Sequence, residues 1–292
     1  MEKIAALVVT RNRLECLKRC VAALEAQTHP LTAIVVIDND SNDGTAAWCK
    51  ANSKITHLQQ SNLGSAGGLH TGLEWVLQNG YDRAWLMDDD GYPECSSLEK
   101  LLAAATADYN DWLNSLVLCI DDHSRLAWGL TIGGKHNANA TEVQAAGKYI
   151  EDANPFNGTL IRRQVIEKIG NIAAELFIKG DESEYHRRAI RHRIKVVTVT
   201  DSLFYHPEIF SENVLTSPFR AMWRFYFTVR NQDAVVSADG RVKLSTRGAW
   251  TYAKPVIRQL VHRICQDVLR IFILLHGVIA AWVNDLKRRY VK

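Results

Sequence analysis

Three consecutive carboxylates, Asp88, Asp89 and Asp90, close an apolar run, Trp85-Leu86-Met87, of the kind that forms a buried strand. Like charges beside apolar neighbours need a counter-ion, because burying an uncompensated carboxylate is costly, and a divalent cation is the natural neutraliser. Two further polar segments follow apolar runs in the same way: Thr10-Arg11-Asn12 after Ile4 to Val9, and Asp38-Asn39-Asp40 after Ala33 to Ile37. In an open α/β sheet, ligands bind beyond the carboxyl ends of the strands, so the three segments are expected along one edge. Carboxylates there would meet a cation already bound to a diphosphate, while another strand-end Asp would accept hydrogen bonds from a base or ribose. The chemistry this spells out is a nucleotide-diphosphate pocket.

The elements that must position these groups are legible from periodicity. Ile4 to Val9 is a continuous apolar run of strand length, and Leu14, Leu17, Val21 and Leu24 then recur at helical spacing. A second strand-helix unit spans Ala33 to about Ala51, with Asp43-Gly44-Thr45 leading into its helix. A short strand near Ile55 to Leu58, a glycine-rich stretch from Asn62 to Gly68, a helix through Leu77 and the strand Ala84 to Met87 complete the first half. Alternation of this kind implies a mostly parallel α/β sheet with helices on both faces. After residue 95 the spacing predicts a helix over 97–107, strands at 116–120, 126–132, 156–161 and 195–200, a mobile loop over 135–141, and helices over 164–169 and 181–191. From Thr216 to Val236, and from about Gly248 to Leu286, the pattern is helical.

With 292 residues, 47% of them hydrophobic and 23% charged, the chain can bury a substantial core. Its six cysteines form no CxxC pair and no zinc-type spacing, so reduced thiols in a cytosolic setting are expected, and the N-terminus carries no conventional export signal. From residue 241 onward eleven Lys and Arg face only Asp267 and Asp285, leaving the first 240 residues net negative. A basic helical tail on an acidic body suits an anionic lipid surface, where each basic group is worth about 1 kcal/mol. Nucleic acid is not expected as a partner, since no recognised binding motif accompanies the charge. The apolar stretch Val268 to Val283 contains Arg270 and His276 and falls short of the roughly 20 residues that span a bilayer. It is suited to lying on a membrane surface, to packing on the chain's own core, or to joining two subunits into a homo-oligomer. Trp85, Trp128 and Trp223 are read as core, not site.

The order of the motifs Leu7-Val8-Val9-Thr10-Arg11-Asn12-Arg13, Val36-Ile37-Asp38-Asn39-Asp40-Ser41, Asn62-Leu63-Gly64-Ser65-Ala66-Gly67-Gly68 and Leu86-Met87-Asp88-Asp89-Asp90 resembles the inverting family 2 glycosyltransferases of the GT-A fold. Phe156-Asn157-Gly158-Thr159, Gly180-Asp181-Glu182-Ser183-Glu184-Tyr185, Phe204-Tyr205-His206-Pro207 and Phe225 to Asn231 are similar to the galactofuranosyl- and rhamnosyltransferase branch. The resemblance implies a GT-A domain over residues 1–235, a basic, amphipathic helical extension over 236–292, and a nucleotide-sugar donor. It places Thr10, Arg11 and Asp38 on the uridine or thymidine, and Asn62, Gly64 and Gly67 near the phosphates. Asp88 would serve ribose or metal, and Asp90 the metal. Asp89, which points the other way along an extended chain, is left as a bystander. His206 would be a third ligand to Mn²⁺ or Mg²⁺, imidazole tilting the choice toward Mn²⁺. The family's general base falls on Glu182 or Asp181; the Asp-Glu order departs from the usual pair and leaves both open.

The expected activity is therefore metal-dependent, inverting transfer of a sugar, UDP-galactofuranose being the first donor and dTDP-rhamnose the second. The acceptor would be a lipid-linked saccharide or oligosaccharide at the inner face of the cytoplasmic membrane, in O-antigen, capsule or galactan assembly. Two other readings are a nucleotide-sugar-binding scaffold without activity and a nucleotidyltransferase, the latter disfavoured because only Arg11 and Arg13 could grip a triphosphate.

Overall fold

A computed structural model describes residues 2–105, 109–208, 217, 222–237, 240–261 and 268–290. The chain divides into two compact units, Met1–Ile172 with Ala189–Ile209, and Ala173–Arg188 with Phe210–Lys292.

The first unit opens with strands β1 (Ile4–Thr10), β2 (Ala33–Asn39), β3 (Ile55–Gln60) and β4 (Arg83–Asp88), linked by helices α1 (Leu14–Glu25), α2 (Thr45–Ala51) and α3 (Gly64–Gln78). These strands pair in parallel in the order β3-β2-β1-β4. Every β1 residue is buried, as its unbroken apolar run requires of a strand covered on both faces. α1 turns Leu17, Cys20, Val21 and Leu24 onto the sheet, where they join Ile4, Val8, Val36, Trp85 and Met87 in one core.

After the short β5 (Tyr92–Pro93) and α4 (Ser97–Ala104) come β6 (Trp112–Cys119), β7 (Arg125–Ile132), β8 (Lys135–Asn139), α5 (Ala140–Ala146), β9 (Tyr149–Ile150), β10 (Thr159–Arg162) and α6 (Arg163–Ile169). The helix α7 (Asp181–Arg191) leads into β11 (Val196–His206). β10 lies antiparallel between β4 and β6, so β6 and its parallel neighbour β11 run with β4. The 135–141 segment, expected to be a loop, is instead β8 and the start of α5. β8 pairs with β7 as a hairpin, and Asn139 caps α5 by accepting from the Glu142 amide at 3.0 Å. Its polar composition misled because β8 is largely solvent-exposed and shows no apolar alternation.

In the second unit, α8 (Met222–Asn231), the hairpin β12 (Val235–Val236) and β13 (Val242–Lys243), α9 (Thr246–Val261) and α10 (Val268–Tyr290) follow one another. Part of the 216–236 stretch expected as helix, 216 and 218–221, lies outside the described residues, and its end is strand β12. Leu274, Val278 and Ala281 of α10 pack with Phe225, Val229, Ala249 and Ala253 of α8 and α9. Phe272, Ile279, Trp282 and Val283 face solvent. Among the described residues no helix is long and apolar enough to cross a membrane, and no disulfide forms.

One close approach ties the fold to the acidic triplet. β5 pairs with the end of β11, Tyr92 opposite Tyr205, so Gly91 sits against Phe204 and the Tyr205 carbonyl with no room for a side chain. A methyl group there would overlap the Phe204 ring and lie 2.9 Å from the Tyr205 oxygen. Gly91→Ala is therefore expected to cost about 1–3 kcal/mol of stability in urea unfolding; an unchanged midpoint would show that this contact is loose.

Candidate active site

Chain order reverses between β1 and β4, whose ends stand side by side with Val9 opposite Asp88. That is the topological switch point of an open sheet, the place where ligands settle. Asp88, partly buried, is the last residue of β4. Asp89 is only 1% exposed. Its Oδ2 accepts from the Thr10 hydroxyl at 2.6 Å, and its Oδ1 lies 3.1 Å from Arg13 Nη1. Asp89 is thus the anchor of the triplet, where alternation alone made it a bystander. The same Arg13 nitrogen pairs with Asp90 Oδ2. Arg19 donates to the Asp90 carbonyl at 3.0 Å, with its guanidinium over the Tyr92 ring. Burial pushes Asp89 up to about 6, against the pull of Arg13 and Thr10. Burial also works against an ionised Asp90, but His206 and Arg13 hold it down at about 2.

His206 ends β11 on the same edge. Its Nδ1 lies 2.8 Å from the Pro207 carbonyl, which can only accept, so Nδ1 carries the proton. Nε2 then faces Asp90 Oδ1 at 3.1 Å. A neutral ring would aim a lone pair at a carboxylate oxygen, and two acceptors so placed call for a proton or a cation between them. The hydrogen bond and charge of Asp90 raise His206 above its usual value despite burial, which lowers it. Trp128 of β7, read as core, lies with its ring 4.6 Å from the His206 ring. Asp90 supplies an oxygen donor of the kind Mn²⁺ and Mg²⁺ accept, and the His206 imidazole suits Mn²⁺ better than Mg²⁺. Among the described residues, however, no three His, Cys, Asp or Glu side chains converge as a ligand cage.

The other strand ends are built mainly from protein contacts. Asp38 is fully buried, accepts from the Ser41 amide at 2.9 Å and lies 3.4 Å from His57 Nε2. Asn12 and Ser41 stitch the β1 and β2 turns together, each receiving an amide of the other segment. Arg11 stands exposed at the end of β1. Asn62 Oδ1 accepts from the Gly64 amide at 3.1 Å and so sets the first turn of α3, where Gly67 is buried. Thr10, Arg11, Asp38, Asn62, the triplet and His206 thus share one sheet edge, but the Thr10 hydroxyl is spent on Asp89.

In the second unit, Asp181 and Glu182 open α7. Asp181 is 1% exposed, whereas Glu182 is partly exposed. Glu184 is committed to structure: it pairs with Arg188 at 2.6 Å and receives the Val236 amide at 3.0 Å. The turn before the helix takes positive φ at Phe177, Lys179 and Gly180. It is clamped by Asn231, whose amide donates to the carbonyls of Leu176, Ile178 and Lys179 at 2.9, 3.0 and 2.6 Å. Arg230 Nε fixes that amide by donating to Asn231 Oδ1 at 2.8 Å. Arg13, Asp89 and Asn231 hold these segments in place, and sequence reasoning missed the contacts they make. Arg13 was signalled by its place just past a strand end; nothing local signalled Asn231.

A parallel half-sheet that closes on an acidic triplet at its switch point, with an antiparallel strand inserted beyond, is the arrangement of the GT-A fold. The model of glycosyl transferase family 2 matches residues 5–170, and the chain belongs to that family and is a glycosyltransferase. It is 34% identical over 258 residues to galactofuranosyltransferase GlfT1 of Mycobacterium tuberculosis (strain H37Rv), covering 83% of this chain and 85% of the relative. Among solved structures, Staphylococcus aureus TarS in complex with UDP superposes with a TM-score of 0.55 at 16% identity, covering 78% of this chain and 64% of that one. GalNAc-T7 with UDP, GalNAc and Mn²⁺ gives 0.55 at 16% identity, covering 72% and 44%. At that identity both speak for the fold, and the chain spans less than two thirds of either.

The Asp90–His206 pair has a defined pH signature. His206, raised above 6.5, contributes fully below about pH 6.5 and loses its contribution as pH rises through the raised value. Asp90, lowered from 3.8 to about 2, contributes fully above 3.8 and loses its contribution as pH falls toward 2. In chelator, His206→Gln is expected to lower the melting temperature most between about pH 4 and 6.5, with the gap to wild type narrowing at higher pH. A gap that stays flat from pH 4 to 9 would mean the pair is not ionised.

Proposed function

We propose that the chain is an inverting, divalent-metal-dependent galactofuranosyltransferase that moves galactofuranose from UDP-galactofuranose onto a lipid-linked saccharide. The observation that carries this reading is the meeting of Asp90 Oδ1 and His206 Nε2 beside the switch point of a glycosyltransferase sheet. The galactofuranose assignment is supported by the relatives that share most of this chain's length and bear that activity in their names.

Asp90 and His206, with Asp88 beside them, would hold Mn²⁺ or Mg²⁺, which when bound offsets the charge that develops on the departing UDP. Asp38, Arg11 and the start of α3 lie where base and phosphates would be received; a helix N-terminus suits phosphate oxygens. Inversion needs one carboxylate to take the proton of the acceptor hydroxyl while that oxygen bonds to the anomeric carbon and the bond to UDP breaks. Glu182 suits this task better than the buried Asp181, because only a reachable carboxylate can touch an acceptor. With UDP-galactofuranose, Mn²⁺ and a lipid-linked acceptor, Glu182→Gln is expected to lower turnover by about 10²–10⁴-fold with UDP affinity retained. Asp90→Ala should abolish both turnover and metal-dependent UDP binding. Unchanged turnover in either variant, or preference for dTDP-rhamnose over the UDP donor, would refute the assignment.

The outer face of α10 supports a membrane-surface acceptor. Phe272, Ile279, Trp282 and Val283 are exposed on it, and Lys287, Arg288 and Arg289 follow in the sequence. Phe272→Glu with Trp282→Glu should stop the protein floating with phosphatidylglycerol vesicles while leaving UDP binding intact. Equal flotation of the variant would remove α10 from the interface.

A further inference from the structure

We propose that Arg13 is the built-in counter-charge of the acidic triplet: it holds the carboxylate of Asp90 through Oδ2, beside the oxygen that would receive a divalent cation, and metal binding hands it over to the diphosphate of the donor. This rests on the metal reading above and adds to it an order of events and a residue.

The geometry is specific. One nitrogen, Arg13 Nη1, serves two carboxylates at once, Asp89 Oδ1 at 3.1 Å and Asp90 Oδ2. The two acids differ in how firmly they are set. The Asp89 side chain is 2% exposed and held by the Thr10 hydroxyl, whereas the Asp90 side chain is 26% exposed and that of Arg13 48%. Asp89 is therefore a fixed tether and Asp90 the contact that can be exchanged. The other Asp90 oxygen faces His206, so both oxygens of this carboxylate are met by basic side chains.

A cation received between Asp90 Oδ1 and His206 Nε2 would share this carboxylate with Arg13, which sits on Oδ2, and the two like charges repel. Arg13 must withdraw, and it does so while still moored to Asp89 at the end of the sheet where the diphosphate is expected. A planar guanidinium pairs with phosphate oxygens through parallel hydrogen bonds, so the nucleotide supplies the partner that Asp90 gives up. Two consequences follow from linkage. Metal alone binds weakly because it must displace Arg13, and metal and nucleotide strengthen each other because each accommodates what the other releases.

The test is Mn²⁺ binding followed by electron paramagnetic resonance on the full chain, with and without UDP, alongside UDP titration at saturating Mn²⁺. Arg13→Ala is expected to bind Mn²⁺ alone about tenfold more tightly than wild type, and UDP in the presence of Mn²⁺ about tenfold more weakly, a coupling in the usual range. A purely structural role for Arg13 would weaken both and cannot produce opposite signs. Asp90→Ala separates the two levels of the argument. If it binds Mn²⁺ as wild type does, with and without UDP, the metal reading fails. If it loses Mn²⁺ while Arg13→Ala binds Mn²⁺ no more tightly than wild type, the role given to Arg13 fails. Should Arg13→Ala not fold, Arg13→Lys carries the test: it keeps the charge without the fork, so Mn²⁺ affinity close to wild type with UDP binding several-fold weaker supports the proposal, and undiminished UDP binding overturns it.

Discussion

The architecture of the site follows from a single electrostatic problem, three carboxylates at the end of a strand whose other residues are fully buried. Their charge cannot be left to solvent alone, because Asp89 is enclosed and Asp90 is largely so. The chain answers with groups brought from three directions. Arg13 comes from the turn after β1, Arg19 from α1 and His206 from the end of β11. Each arrives because of a sheet pairing or helix crossing that has its own apolar reason to exist. The electrostatic arrangement is thus a product of the hydrophobic one.

Glycines mark where that arrangement is tightest. Gly91 lets the chain after the triplet lie against Phe204, which brings Asp90 beside the end of β11. Gly180, at a φ of +95°, ends the turn before α7, and a Cβ there would stand 3.0 Å from the Asn231 Cβ. In both units an acidic segment is aimed by backbone geometry at the residue next to it, and a side chain at that point would spoil the aim. Thr10 and Arg13 bond the acids of the first unit directly, whereas Asn231 donates its amide to three backbone carbonyls of the turn that leads to Asp181.

The C-terminal helices carry more apolar residues than one packing face holds. The nearly continuous apolar run of α10 exceeds what its packing needs. Leu274, Val278 and Ala281 supply the contact with α8 and α9, and Gly277 lets the helices approach closely, its Cβ position only 3.2 Å from Val229. The residues left over include a tryptophan and a phenylalanine on the outer side. It is on these exposed aromatic groups, near a basic sequence, that the proposed contact with a membrane surface rests.

The residues alone determined that β1, β2 and β4 are buried parallel strands, since strand-length apolar runs such as Ile4 to Val9 alternate with helical spacing, and that polar groups would gather at their carboxyl ends. They also carried the family likeness, which rests on order and spacing. They did not determine that Asp89 would be the anchor, because alternation gives a side chain's direction but not what stands there to meet it. Nor did they reveal Arg13's shared nitrogen, the hairpin at 135–139, or the clamp by Asn231. The anchor, the shared nitrogen and the clamp depend on partners 52 to 79 residues away, whereas the hairpin is local but its strand β8 carries no apolar alternation to announce it. Such contacts become defined only when sheet pairing and helix packing fix distances that local propensity leaves free.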